Sequence, residues 1–208
     1  MRIGVIGAGW LGGTVGRQWV KAGHEVLFSS RHPERLKNEL KDLGSGASVG
    51  TAAAAAGFGS VVLIATPYEA LAAIGRDHHQ ALQGKIVLDA ANPWPSEPSA
   101  RDAEKAGVGL FSSGLLPGTR LVRAFSAVDA TAVEASAEGR GERLAVPVAG
   151  DDRAAVDTAV QLVRDAGCEP LIVGDLAAAR SFQRHGPGFR ANTNLEKLRR
   201  LLGLADPA

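Results

Sequence analysis

The sequence lacks the features that stabilise secreted and membrane-inserted proteins. It holds one cysteine, Cys168, in 208 residues, so no disulfide can form within the chain, and a reducing compartment is expected. No apolar run approaches the length of about 18 residues that crosses a bilayer, and the N-terminus has no signal-peptide pattern. These absences predict a cytoplasmic protein with no membrane partner.

An excess of positive charge is also missing. The chain has 23 basic and 22 acidic residues and a formal charge of +1. Binding to nucleic acid needs a surplus of Lys and Arg to neutralise phosphates. No nucleic-acid partner is therefore predicted, and the basic residues that matter act locally.

Several catalytic and ligand-binding motifs are absent as well. The sequence has no G-K-[ST] phosphate loop and no G-x-S-x-G nucleophile elbow, which argues against triphosphate hydrolysis and serine hydrolase chemistry. His78 and His79 stand far from any cluster of ligand residues, so no metal is predicted. No acid–base pair emerges, and the catalytic residues remain unassigned.

What the chain does contain is an alternation of strand-length apolar runs with helix-length segments. Strands are predicted over residues 2–6, 25–28, 60–65, 85–88, 120–125, 144–148 and 169–173. Between them the pattern predicts helices, among them 32–43 and an alanine-rich helix, 51–57, with Thr51 as its N-cap. Such alternation is typical of an α/β fold with a doubly wound parallel sheet. The segments 94–101 and 136–143 are predicted to be loops.

The first strand runs into a glycine-rich turn with G-x-G-x-x-G spacing: Gly7, Ala8, Gly9, Trp10, Leu11 and Gly12. The pattern follows a strand and opens a helix within a βαβ unit of about 30 residues, which is the context of a Rossmann-type dinucleotide site. The first glycine permits the turn, the second the approach of a pyrophosphate, and the third close packing. Trp10 is compatible either with lining an acceptor pocket or with packing against it.

The end of the second strand selects the cofactor. An NAD site would carry Asp or Glu about 20 residues past the glycines, but Ser30 and Arg31 stand here, and Arg35 follows one helical turn later. A hydroxyl and two guanidinium groups suit a 2′-phosphate, which a carboxylate would repel. The predicted cofactor is NADP(H). Residues 1–150 are predicted to form the NADP-binding Rossmann core, and 151–208 a small C-terminal α/β extension packed on the same domain.

Ligands of such sheets lie beyond the carboxyl ends of the strands. Three loops follow strand ends there, and they place these residues near the nicotinamide or the hydride acceptor: Thr66, Pro67 and Tyr68; Asn92, Pro93 and Trp94; Ser126, Ala127 and Val128.

These residues resemble the family of NADP oxidoreductases that use coenzyme F420, a deazaflavin. The resemblance extends over most of the chain. It rests on these blocks: 2–7 and the glycine loop, Ser30-Arg31, Pro67, Asp89–Pro93, Leu121–Phe125, Pro147–Asp152, Gly174–Leu176 and Ala179-Arg180.

The resemblance implies roles for several of these residues. Ser30, Arg31 and Arg35 would grip the 2′-phosphate, and Thr66, Pro67 and Asn92 would contact the nicotinamide end. The stretch 125–128 would border the deazaflavin pocket, where Ser126 replaces the Asn or His of many relatives.

Three functions fit this sequence. The first is hydride transfer between NADP(H) and F420 or a related flavin, which needs positioning of two rings more than acid–base chemistry. The second is reduction of a small imine or carbonyl compound, with Tyr68 or His185 as proton donor. The third is non-catalytic sensing of the NADP redox state. An apolar stripe on 194–202 fits either a homodimer or docking within the chain.

Overall fold

The computed structural model describes residues 1–205, which form a sheet of eight strands flanked by helices. The strands are β1 Arg2–Ile6, β2 Glu25–Ser29, β3 Ala47–Gly50, β4 Val61–Ile64, β5 Ile86–Asp89, β6 Arg120–Arg123, β7 Ala145–Gly150 and β8 Glu169–Gly174. Their order across the sheet is β3-β2-β1-β4-β5-β6-β7-β8. The predicted α/β fold of Rossmann type is confirmed, because the order of the first six strands is that of a dinucleotide-binding sheet.

The helices fill the connections between these strands. They are α1 Trp10–Lys21, α2 Pro33–Glu39, α3 Ala52–Phe58, α4 Leu71–Asp77, α5 His79–Leu82, α6 Ala100–Ala106, α7 Val108–Leu115, α8 Ala130–Ala137, α9 Arg153–Asp165 and α10 Leu195–Leu201. Short 3₁₀ helices cover Lys41–Gly46, Tyr68–Ala70 and Leu176–Phe182. None of the helices within residues 1–205 combines the length and the apolar character that a membrane span requires.

Alternate residues of the central strands enter two separate hydrophobic cores. In β4, Val61 and Leu63 pack with one cluster, whereas Val62 and Ile64 pack with the other. Both faces of the sheet are therefore covered, as expected for the nearly continuous apolar strands of the sequence. The alanine-rich α3 lies directly on β1, since a Cβ at Gly4 would stand 1.9 Å from the Ala55 carbonyl oxygen.

The structure differs from the sequence prediction in the direction of two strands. β7 pairs with β6 in an antiparallel arrangement, with Val122 opposite Gly150, and β8 runs parallel to β7. The predicted parallel arrangement holds for β1 to β6, and the reversal at this edge was not predicted, because a pattern of apolar runs carries no information on strand direction. Mixed sheets of this kind commonly carry reversed strands at one edge.

Smaller differences concern the segments after β2 and after β5. The predicted helix over 32–43 ends at Glu39, where a 3₁₀ turn replaces it, and β3 was not predicted because its sequence Ala-Ser-Val-Gly is short and weakly apolar. The predicted loop over 94–101 ends in the first turn of α6. The N-cap at Thr51 is confirmed, because its hydroxyl accepts a hydrogen bond from the Ala54 amide at 3.1 Å.

Candidate functional site

The glycine loop connects β1 to α1, and close packing requires two of its three glycines. Gly7 has a φ of +95°, and a Cβ there would lie 2.7 Å from the Ala65 carbonyl oxygen. At Gly12 a Cβ would lie 2.3 Å from the carbonyl oxygen of Gly7. Contacts this short would force backbone atoms to shift, so packing accounts for the glycine at both positions.

Gly9 is not required by packing. A Cβ at this position would meet nothing within 4 Å, and its φ of −77° is open to any residue. The space in front of Gly9 lies at the start of α1, whose first turn has no side-chain cap and no acidic residue. The amide groups of a first helical turn lack acceptors within the helix and attract an anion. The residues present therefore fit a diphosphate group.

A groove of 590 Å³ lies along the carboxyl ends of β1, β2 and β4. We call it the strand-end groove. It brings together seven of the residues predicted to bind the cofactor: Gly7, Ala8, Gly9, Ser30, Arg31, Thr66 and Pro67. These residues lie far apart in the sequence, and the parallel arrangement of the three strands places them at one edge of the sheet.

A second groove, of 470 Å³, lies between α1 and α2. This helix groove is lined by Trp10, Gly13, Thr14 and Arg17 of α1, by His32, Arg35, Leu36, Glu39 and Leu40 at α2, and by Ala8, Gly9 and Ser30. The indole of Trp10 is 73% exposed at its wall. Because Ala8, Gly9, Ser30 and His32 line both grooves, the two meet at the glycine loop.

At the ends of β5 and β6 several polar groups bind one another. The buried Arg123 guanidinium donates to Asp89 at 2.6 Å, to the Ala91 carbonyl at 2.7 Å and to the side-chain oxygen of Asn92 at 2.9 Å. The Asn92 amide nitrogen donates to the Ser126 carbonyl at 2.6 Å. Asn92 thus joins the loops after β5 and β6, and it does not line the strand-end groove.

Tyr68 lies beneath this edge of the sheet. Its ring is 1% exposed and its hydroxyl lies 3.2 Å from the Ser112 hydroxyl. Burial raises the pKa of the Tyr68 phenol to about 12, which opposes formation of the phenolate. Tyr68, Leu11 and Gly12, which the sequence also suggested as cofactor contacts, line neither groove.

Two of the residues predicted to form the acceptor pocket, Trp94 and Ala127, contact residues 183–194, which we call the C-terminal loop. The Arg190 amide donates to the Ala127 carbonyl at 2.9 Å, and Arg184 places its guanidinium 4.6 Å from the centre of the Trp94 ring. Trp94 remains 56% exposed, whereas Ala127 and Val128 are buried. A segment remote in sequence therefore forms one wall around these residues.

Ser126 follows a residue with a strained backbone conformation. Its neighbour Phe125 has a φ of 61°, which is unfavourable for a bulky residue. The Ser126 hydroxyl is buried and has no hydrogen-bond partner within residues 1–205. Pro93, which follows Asn92, is also buried.

Several groove residues were not predicted from the sequence. Thr51 and Glu69 line the strand-end groove, and Arg17, His32 and Glu39 line the helix groove. The helical spacing from Trp10 to Gly13, Thr14 and Arg17 identifies one face of α1. This periodicity places Arg17 on the same face of α1 as Trp10, so the sequence alone could have identified it as a groove residue.

The fold and the glycine loop define a Rossmann-type α/β protein. Residues 2–93 match the model of the family described as NADP oxidoreductase, coenzyme F420-dependent. The resemblance inferred from the sequence is confirmed over this segment, which contains the glycine loop, Ser30, Arg31 and Asn92.

Solved structures agree with this fold. A hypothetical protein from Sinorhizobium meliloti superposes with a TM-score of 0.77 at 26% identity, over 92% of this chain and 93% of the other. A candidate F420-dependent NADP reductase from Arthrobacter sp. FB24 superposes with a TM-score of 0.71 at 24% identity, over 99% and 96%. The whole unit formed by residues 1–205, including β7 and β8, thus has counterparts of similar length.

A curated relative is longer. The metalloreductase STEAP3 of Rattus norvegicus is 26% identical over 189 residues, which are 88% of this chain. The chain spans only 36% of the length of that relative.

Proposed function

We propose that this protein binds NADP(H) across the glycine loop and transfers a hydride between NADP(H) and an F420-type deazaflavin or a related flavin. The observation that carries the proposal is the open space at Gly9, between two glycines that packing explains. A glycine without a packing reason, at the uncapped start of a helix, is accounted for by a ligand whose phosphates approach the backbone.

The choice of NADP(H) rests on the side chains at the end of β2. Ser30 and Arg31 line the strand-end groove, Arg35 lines the helix groove, and residues 29–33 contain no carboxylate. A hydroxyl and two guanidinium groups can donate to a 2′-phosphate. The family model, which is described as an NADP oxidoreductase, supports this assignment.

The choice of a ring-to-ring reaction rests on the chemistry around the strand ends. NADPH supplies the hydride when bound, and the protein holds the two rings in contact and excludes water. A carbonyl reductase would also need a proton donor, and Tyr68 is buried with a raised pKa. Trp94 offers an exposed aromatic face on which a planar acceptor can stack.

The direct test mixes the purified protein with NADPH and oxidised F420, FMN or FAD and follows the absorbance of NADPH. Oxidation of NADPH with at least one of the three is expected, and its absence with all of them would contradict the proposal. Consumption of NADPH with an imine or carbonyl compound and no flavin would favour the second function, in which the exposed His185 replaces Tyr68 as donor. Tight NADPH binding without any turnover would favour a redox sensor.

Arg31→Asp tests the cofactor choice separately. The variant is expected to weaken NADPH binding by roughly 1.5–3 kcal/mol, the worth of a charged hydrogen bond, and to change NADH binding much less. Titration calorimetry with both cofactors measures the difference. Arg153→Asp, at the exposed start of α9, is the matched control and should leave both affinities unchanged. Equal weakening of NADPH and NADH by Arg31→Asp would contradict the assignment.

A further inference from the structure

Two arginines of the helix groove meet at the last residue of α2. Arg35 donates from Nε to the Glu39 carboxylate at 2.8 Å, and Arg17 donates from Nη2 to the Glu39 backbone carbonyl at 2.6 Å. Arg17 reaches this point from the middle of α1 and is half-buried, whereas the Arg35 side chain is 83% exposed. The two guanidinium groups are therefore held on one wall of the groove.

The surroundings of these arginines favour an anionic ligand. Among the residues that line the helix groove, Glu39 is the one carboxylate beside two arginines and a histidine, His32. The floor is apolar, since Leu36 and Leu40 are 4% and 5% exposed, and an apolar wall strengthens electrostatic attraction relative to open water. The groove also opens onto Gly9 and Ser30, where the proposed function places the cofactor.

We propose that Arg17 is a further specificity-determining residue for the ribose 2′-phosphate, and that Glu39 is the anion which this phosphate displaces from Arg35. The inference rests on the proposed binding of NADP(H). Arg17 differs from Ser30, Arg31 and Arg35 because it stands on α1, outside the segment after β2 that ordinarily distinguishes the two cofactors.

The hydrogen bonds of the two arginines explain how the exchange would proceed. Arg17 is bonded to a carbonyl, so its positive charge has no carboxylate partner at that contact. Within residues 1–205 its side chain makes no second hydrogen bond, so its other N–H groups can donate to a phosphate. Arg35 is paired with Glu39 in an exposed i,i+4 pair, which is worth little in water. A 2′-phosphate carries more charge than one carboxylate and can take over Arg35 at small cost.

The experiment measures NADPH and NADH binding by titration calorimetry for the unmodified protein, Arg17→Gln and Glu39→Gln. Arg17→Gln should weaken NADPH binding about tenfold, as expected for loss of a charged hydrogen bond, and leave NADH within about twofold. Glu39→Gln should strengthen NADPH binding about two- to fivefold, the worth of an exposed ion pair. Lys37→Gln is the control, because Lys37 pairs with Glu34 and does not line the groove.

The outcomes separate this inference from the function on which it rests. Selective NADPH binding by the unmodified protein, with the NADPH to NADH ratio unchanged in both variants, overturns the roles of Arg17 and Glu39 alone. If the unmodified protein binds neither cofactor, the proposed function fails and this inference with it. If Arg17→Gln does not fold, the gain in Glu39→Gln decides, and an unchanged or lower NADPH affinity in that variant overturns the exchange.

Discussion

Around the glycine loop the backbone leaves space in front of an uncapped helix start, whereas at the ends of β5 and β6 several polar groups are already bonded to one another. A Cβ at Gly9 would meet nothing within 4 Å, and the first turn of α1 has no cap. In contrast, Arg123 binds Asp89, Ala91 and Asn92, and Asn92 binds Ser126. The first region is open to a ligand. The second, formed by Asp89, Ala91, Asn92, Arg123 and Ser126, is largely closed on itself, and the Ser126 hydroxyl is one buried group there with no partner within residues 1–205.

The two regions are formed by different kinds of contact, one local and one between distant parts of the chain. The open region consists of residues 6–12 and 29–31, which lie at the ends of adjacent strands and need only the sheet to come together. The closed region depends on a buried ion pair and on the C-terminal loop, which contacts Ala127 and Trp94. The proposed donor site is thus formed locally, while the surface offered to the acceptor depends on contacts across the whole chain.

The largest effect on stability is expected from a substitution in the closed region. Asp89→Ala leaves the Arg123 guanidinium, which is 1% exposed, without its carboxylate partner. Removing one member of a buried pair is expected to lower the free energy of unfolding by about 3–5 kcal/mol, as measured by urea denaturation. Glu25→Ala, which removes an exposed pair with Arg2, should cost less than about 1 kcal/mol. A similar small loss for Asp89→Ala would show that the network contributes little to stability.

The next largest effect on stability comes from ionisation of Tyr68, which packs in the same closed region. The pKa of its phenol is raised to about 12 in the folded protein, against about 10 in an unfolded chain. Because the unfolded state releases this proton first, the free energy of unfolding is unaffected below pH 10 and falls between about pH 10 and 12, by up to about 3 kcal/mol.

Tyr68→Phe provides the comparison for that titration. The variant should lose the part of the pH dependence that the phenol contributes and keep the parts due to Lys and Cys168. Tyr68 is the single tyrosine of the chain, so phenolate absorbance reports its ionisation directly. Ionisation of the folded protein near pH 10 would mean that the hydroxyl reaches solvent.

The open region was predictable from sequence because its residues act through backbone geometry and local spacing. The glycine pattern needs only a preceding strand and a following helix to be interpreted, and Ser30 and Arg31 follow β2 at the expected distance. Five of the residues named from these patterns line the strand-end groove: Gly7, Ala8, Gly9, Ser30 and Arg31. The apolar runs over 2–6, 60–65 and 85–88 likewise predicted the strands β1, β4 and β5.

The closed region was not predictable because its contacts join distant parts of the chain. Asn92 was expected to face a ligand, but its amide is shared between Arg123 and Ser126, 31 and 34 residues away. No local pattern states that β7 reverses direction, or that the Arg190 amide reaches the Ala127 carbonyl. Such pairings are selected by tertiary packing, which overrides what propensity and spacing indicate.

The smallest effect on stability compares two glycines three residues apart in the open region. Gly12→Ala places a Cβ 2.3 Å from the Gly7 carbonyl oxygen, so it should lower the free energy of unfolding by about 1–3 kcal/mol through overpacking. Gly9→Ala meets no atom and should change stability by less than about 0.5 kcal/mol.

Gly9→Ala, which should hardly change stability, is expected to impair cofactor binding. Gly9→Ala fills the space that the phosphates would occupy, so NADPH affinity should fall although the fold is intact, and calorimetric titration of the folded variant measures this directly. If Gly9→Ala bound NADPH as tightly as the unmodified protein, the open space would need another explanation. If Gly9→Ala leaves the fold intact and weakens NADPH binding, the glycine at this position is explained by the ligand and not by packing.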